Sequence, residues 1–157
     1  MIKILFVCHG NICRSPMAEF IMKEKVKKLG LEDNFEIASA ATSTEEIWNG
    51  VGNPVYPPAK EELRKHGISC DGKRAIQIKK SDYEKYDYLI GMDDANIKNM
   101  ERITGGSDKI YKLLSFAKIE ASVADPWYSG NFEVAYRDIE RGIEGFLKYL
   151  ENNYGND

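Results

Sequence analysis

The apolar run Ile2-Lys3-Ile4-Leu5-Phe6-Val7 leads through eight residues, Cys8-His9-Gly10-Asn11-Ile12-Cys13-Arg14-Ser15, directly into a segment opened by Pro16. That passage constrains the fold more than any other stretch of the chain. The run is short and β-branched enough to read as a buried strand. Pro16 suits the first turn of a helix, and Ala18, Ile21, Met22, Val26 and Leu29 then fall on one helical face, with Gly30 as a stop. The eight residues are therefore a strand-to-helix loop. In parallel α/β folds such loops open at the carboxyl ends of the strands, where ligands bind and the N–H groups of a starting helix point at anions.

The residue types in this loop suit phosphate chemistry. Gly10 permits close backbone approach, and Asn11 is one of the few residues that tolerates a left-handed conformation. Together with His9, Ile12, Cys13, Arg14 and Ser15 they supply a ring of N–H donors around Cys8. A helix start and a nearby guanidinium both favour thiolate over thiol, so Cys8 is the candidate nucleophile. Arg14 offers a planar fork that holds two equatorial phosphoryl oxygens, which a lysine does not do bidentately. Ser15 can donate a hydrogen bond to the sulfur as it attacks and later leaves. The expected reaction is in-line attack of sulfur on phosphorus, with preorganised donors stabilising the transferring group.

Val7-Cys8-His9-Gly10-Asn11-Ile12-Cys13-Arg14-Ser15-Pro16 closely resembles the active-site loop of the low-molecular-weight protein tyrosine phosphatases. The C-x5-R-[ST] skeleton is shared by unrelated phosphatase folds, but its place at residue 8 with G-N-I-C-R-S-P inside is specific. Further matches are Ser39-Ala40-Ala41-Thr42-Ser43, Gly52-Asn53-Pro54, Lys65-His66-Gly67-Ile68, Asp87 to Asp93, and Asp125-Pro126-Trp127-Tyr128. The resemblance covers essentially the whole chain. It implies a metal-independent hydrolase that works through a phosphocysteine, with no cofactor. It implies phosphotyrosine-bearing proteins or small aryl phosphates as substrates, and phosphate- or vanadate-like oxyanions as inhibitors.

Several residues take roles from that resemblance. Asp125 matches the family's general acid, which gives a proton to the phenolate leaving group and then takes one from water. On residue types alone, Asp125-Pro126 followed by Tyr-Ser-Gly reads as a turn. Trp127 and Tyr128 match the aromatic wall that stacks on the substrate ring, with Ile12 and, with its loop register open, Trp48 as further pocket residues. His66, at the end of a helix begun by Pro57-Pro58, reads from its position as a cap of the last turn. The resemblance instead has it join Ser39 in hydrogen-bonding Asn11 and holding the cradle open. His9 lies at a variable loop position with its side chain expected to point outward.

Three other functions are weighed against this one. A zinc module on Cys8, Cys13, His66 and Cys70 has nominal ligands, but the first spacing is wide and Arg14 would place a cation beside the metal. Arsenate reductase chemistry on the same fold needs two cysteines outside the loop, and only Cys70 lies there. Protein arginine phosphatases have a similar loop with threonine where Ile12 stands, and a branched apolar residue there suits a phenyl ring better than a guanidinium. Three cysteines without a signal-peptide layout point to a reducing cytoplasm rather than a disulfide framework. The resemblance to members with the Cys8 and Cys13 pair further suggests reversible oxidation of the nucleophile.

At 157 residues and 43% hydrophobic, without a long apolar stretch, the chain is large enough for one core and is expected to form a single domain over 1–157. A net charge of −3 gives no support for nucleic-acid binding, and no segment reads as a membrane span. Strand candidates are 2–7, 35–39, 88–92 and 110–113, separated by stretches long enough for helical crossovers. Phe132, Tyr136, Ile139, Ile143, Phe146, Leu147 and Leu150 form one apolar stripe of a final helix, despite Gly142 and Gly145. The expected architecture is a three-layer, open twisted parallel sheet with helices on both faces. The resemblance adds the strand order 2-1-3-4 of the Rossmann-like phosphotyrosine phosphatase I fold.

Overall fold

A computed structural model describes residues 1–154, so the last three residues of the expected 1–157 domain lie outside the described residues. Its centre is β1 (Ile2–Cys8), whose alternate side chains serve opposite faces of the sheet. Ile4, Phe6 and Cys8 enter one apolar cluster, and Leu5 and Val7 enter another. A strand covered on both faces must be apolar at consecutive positions, which is why the run shows no polar alternation.

β1 pairs in parallel with β2 (Phe35–Ala41) on one side and β5 (Tyr88–Gly91) on the other, and β5 pairs in parallel with β6 (Ile110–Lys112). The order β2-β1-β5-β6 is the expected 2-1-3-4 of the four parallel strands. Because the connections leave β1 in opposite directions, its carboxyl end opens into a crevice, and the loop after Cys8 lies there. α1 (Arg14–Lys28) and α6 (Phe132–Tyr154) cover the Ile4 and Phe6 face together with α2 (Pro57–Lys65), while α4 (Asp94–Thr104) sends Met100 into the cluster on the other face. Two further short helices, α3 (Asp82–Lys85) and α5 (Pro126–Ser129), lie in the connections. No helix among the described residues is long and apolar enough to cross a membrane.

Local signals end the helices where the pattern expects. Gly30 follows α1 at φ 72°, although Leu29 is exposed rather than part of the buried face. The stretch 44–50 is not a plain loop. It contributes β3 (Ile47–Trp48), which pairs antiparallel with β4 (Val51–Gly52) across Asn49 at φ 50° and Gly50 at φ 79°. Asn-Gly between short strands is a strong hairpin signal, and both residues take the positive φ such a turn demands.

The glycines in α6 are required rather than tolerated. A Cβ on Gly145 would lie 2.5 Å from the Phe116 carbonyl oxygen and 2.8 Å from Ala117 Cα, and one on Gly142 would lie 2.5 Å from Leu113 Cγ. Both let α6 close on the 3₁₀ turn Leu113–Ala117 that follows β6. Gly→Ala in an exposed helix stabilises by about 1 kcal/mol, but overpacking against backbone costs about 1–3 kcal/mol. Gly145→Ala is therefore expected to lower the melting temperature by several degrees in a thermal melt. A raised melting temperature would contradict this close approach.

Candidate active site

The loop after β1 wraps its donors around Cys8. Asn11 N–H and Ser15 N–H donate to Cys8 Sγ at 3.3 and 3.4 Å, and Ser15 Oγ lies 3.0 Å from the sulfur. Asn11 takes the left-handed conformation, φ 59°, that turns its N–H inward. Its side chain braces the turn: Nδ2 donates to Ser15 Oγ at 2.7 Å and to Ser39 Oγ at 3.0 Å, while Oδ1 accepts from Ile76 N–H at 3.1 Å. β2 lies beside β1 in register, with Ser39 opposite Phe6, and this puts the Ser39 hydroxyl within reach.

Arg14, only 3% exposed, begins α1 and turns its guanidinium back over the loop. Its Nη1 donates to Asp93 Oδ2 at 2.8 Å and to the Val123 carbonyl at 2.9 Å, and its Nη2 lies 3.6 Å from Asp125 Oδ2. Burial works against the Arg14 charge, but the negative sulfur of Cys8, then Asp93 and Asp125, outweigh it and hold the pKa above the ordinary arginine value. Sequence reasoning gives Asp93 and Val123 no role at the site. The available signal is an acid immediately after a buried parallel strand, where side chains face the crevice. Asp93 also caps α4, its Oδ1 accepting from Asn96 N–H at 2.8 Å.

Asp125 sits across the opening, its Oδ1 accepting from Trp127 N–H at 3.0 Å. The cleft, about 150 Å³, is lined by Cys8, Ile12, Cys13, Arg14, Asp125, Trp127 and Tyr128 among others. Trp127 leans on Tyr56, ring centroids 4.7 Å apart, and Tyr56 lies 6.0 Å from Phe132, so this wall is anchored in packed aromatics. Cys13 is a buried free thiol whose pKa is pushed up to about 12 by burial and by the neighbouring charges of Cys8 and Asp125, against Arg14. It therefore remains protonated at neutral pH.

Two expected site residues lie elsewhere. Trp48, expected as a pocket residue, is 75% exposed and is not part of the cleft lining. The β3–β4 hairpin explains this: Ile47 packs toward Ile12 and Cys13, so the next residue faces the opposite side. Glu45 and Glu46 line the wall in its place, and exposed His9 pairs with Glu45 at 3.0 Å. His66, expected to bond Asn11, instead ends α2, lies 3.2 Å from Glu62 Oε2 and stacks on Tyr136 at 3.7 Å. Its side chain is solvent-exposed and leans from the end of α2 onto α6, away from the loop. The position behind Ser39 is taken by Lys73, whose Nζ donates to the Ser39 carbonyl at 2.9 Å and lies 3.7 Å from Glu19 Oε1. Burial draws the Lys73 pKa below the ordinary lysine value, with Glu19 opposing. The four residues of the zinc alternative do not converge: no three His, Cys, Asp or Glu side chains gather as a metal site among the described residues.

A thiol nested in backbone N–H donors at the switch point of a parallel sheet, beside a buried guanidinium, defines a cysteine-dependent phosphate-handling protein. Comparison with known proteins makes the class specific. The family model of the low molecular weight phosphotyrosine protein phosphatases matches residues 3–156, and the chain belongs to that family. It is 40% identical over 155 residues to the low molecular weight protein-tyrosine-phosphatase YfkJ of Bacillus subtilis, covering 96% of this chain and 97% of that one. The crystal structure of YfkJ superposes with a TM-score of 0.92, covering 98% of this chain and 97% of that chain at 38% identity. The low molecular weight protein tyrosine phosphatase of Streptococcus pyogenes gives 0.84 at 39% identity over 96% of this chain and 93% of that one. A Drosophila arginine phosphatase gives 0.86 at 29% identity, covering 96% and 98%.

Proposed function

We propose that this protein hydrolyses phosphotyrosine and small aryl phosphates through a phosphocysteine intermediate. The observation that carries the reading is Cys8 Sγ held by Asn11 N–H, Ser15 N–H and Ser15 Oγ in a cleft that is also lined by Arg14 and Asp125, themselves 3.6 Å apart. Cys8 attacks phosphorus as the phosphorus–oxygen bond to the aryl group breaks, and Asp125 delivers a proton to the departing phenolate. Water then attacks phosphorus, its proton passes to Asp125, and the sulfur–phosphorus bond breaks to release inorganic phosphate. Arg14 and the loop amides hold the phosphoryl oxygens throughout. Nη1 is already fixed by Asp93 and Val123, which orients the rest of the fork toward the cleft.

Substrate class follows from the walls. Ile12, Trp127 and Tyr128 offer apolar and aromatic surface to a flat phenyl ring. A guanidinium would find Glu45, Glu46 and Asp125, so arginine phosphatase is the competitor that the test must separate. Phosphotyrosine, phosphoarginine and phosphoserine peptides of one sequence, assayed without added metal, are expected to rank with phosphotyrosine at least tenfold ahead in kcat/KM. Faster turnover of phosphoarginine would overturn the tyrosine reading, and turnover of none would overturn the enzymatic one.

A further inference from the structure

One carboxylate in the cleft wall has no part in the reaction above and works against its substrate. Glu46, half-buried, lines the cleft, and its side chain packs so closely on the phosphate loop that a Cβ on Gly10 would lie 3.3 Å from Glu46 Cγ. No side-chain cation among the described residues pairs with it. The other carboxylates of the cleft differ: Glu45 Oε2 lies 3.0 Å from His9 Nε2, and Asp125 Oδ2 lies 3.6 Å from Arg14 Nη2. Burial chiefly raises the Cys13 pKa, and the charges of Cys8, Asp125 and Glu46 add to it, so the Glu46 field reaches the loop. A phosphoryl dianion entering the cleft therefore meets an uncompensated negative charge, which weakens its binding unless the substrate also brings a cation.

The carboxylate is displayed by a seated hairpin. The Glu46 carbonyl accepts from Asn53 N–H at 2.8 Å, and the Asn53 carbonyl accepts from Ala75 N–H at 2.9 Å. Arg74 Nη1 donates to the Gly52 carbonyl at 2.9 Å, and a Cβ on Gly52 would come within 1.9 Å of the Ala75 carbonyl oxygen. Ile47, the next residue, packs toward Ile12 and Cys13. With the backbone fixed on both sides, little further ordering is needed when a cation meets the Glu46 side chain.

A phosphotyrosine ring against Ile12, Trp127 and Tyr128 carries no cation of its own, so the charge that answers Glu46 belongs to a neighbouring residue of the substrate. We propose that Glu46 is a specificity-determining residue that selects phosphotyrosine flanked by lysine or arginine, the cationic side chain pairing with the Glu46 carboxylate in the cleft wall. The inference rests on the phosphotyrosine reading above. Glu45, already paired with His9, adds to the same field as a weaker partner.

The test uses a neutral phosphotyrosine peptide and versions with a single lysine or glutamate at each position next to the phosphotyrosine. They are assayed with the parent, Glu46→Gln, Glu46→Lys and Glu45→Gln. In the parent at low ionic strength the best lysine peptide is expected to exceed the neutral one about fivefold in kcat/KM, the upper range for a partly exposed ion pair. That preference should shrink as salt is raised. Glu46→Gln should erase most of it while tightening inhibition by inorganic phosphate about twofold, because the opposing charge is gone. Glu46→Lys should turn the preference toward the glutamate peptides, and Glu45→Gln should keep more than half of it. A parent indifferent to the flanking charge, or a lysine preference that survives in both Glu46 variants, would overturn the proposal. The same peptides are titrated into Cys8→Ser by calorimetry, a readout that needs no turnover. Tighter binding of the lysine peptide there, with no turnover by the parent, would keep the Glu46 contact and sink the phosphatase reading. Binding that ignores the flanking charge, or no binding, overturns the Glu46 contact itself.

Discussion

Cys8→Ser is expected to bind oxyanions as the parent does while turning over essentially no p-nitrophenyl phosphate. The hydroxyl is a far weaker nucleophile at neutral pH than a thiol held under three donors, and no other side chain in the cleft can replace it. Losing the nucleophile of a covalent mechanism costs on the order of 10⁴-fold or more in kcat. The phosphate-holding parts survive the change: Arg14 keeps its Asp93 and Val123 anchors, and the loop keeps its turn through Asn11, Ser39 and Ile76. Inorganic phosphate and vanadate should therefore still bind by calorimetry with near-parental affinity. Turnover retained at the per cent level would rule out a phosphocysteine, and lost oxyanion binding would mean that the sulfur itself shapes the cradle.

The second large effect belongs to Asp125→Asn, and it should depend on the leaving group. A general acid contributes about 10²–10⁴-fold where the departing oxygen needs a proton. Phenyl phosphate, with a basic leaving group, should slow by roughly that factor, and an activated aryl phosphate by much less. The substituted side-chain amide would keep an oxygen to accept the Trp127 N–H, so the short α5 and its aromatic wall should stay in place. Binding of phosphate should consequently change little. Equal slowing of good and poor leaving groups would remove Asp125 from the acid role and leave it as a partner of Arg14, from which it is 3.6 Å away.

Features carried by neighbouring residues are readable without the fold. The strand, loop and helix around Cys8 follow from a run of apolar residues, a residue tolerant of positive φ and a proline, all within one stretch. The parallel strands and the stripe of α6, with Tyr136, Ile139, Ile143, Phe146 and Leu150 buried, follow from periodicity that burial on a sheet enforces. The Asn49-Gly50 hairpin is equally local, and reading 44–50 as a loop overlooks its signal. The glycines of α6 read as weak points only because the partner surface, the Phe116 carbonyl, comes from another element.

Residue identities at the start of the chain suffice to say that a thiol, a guanidinium and a ring of amides meet around phosphate, because a loop of eight residues has few ways to arrange them. Folding settles which distant groups hold that loop. Arg14 is clamped from residues 79 and 109 positions away, Glu19 and Lys73 meet behind Ser39, and Trp48 faces outward because Ile47 packs inward. Hydrogen bonds and ion pairs depend on separations of a few ångström. Those separations arise from strand order and register, which bring together side chains that sequence spacing keeps apart. Chemistry at Cys8 is thus written locally, while the orientation of each group around it belongs to the packed sheet.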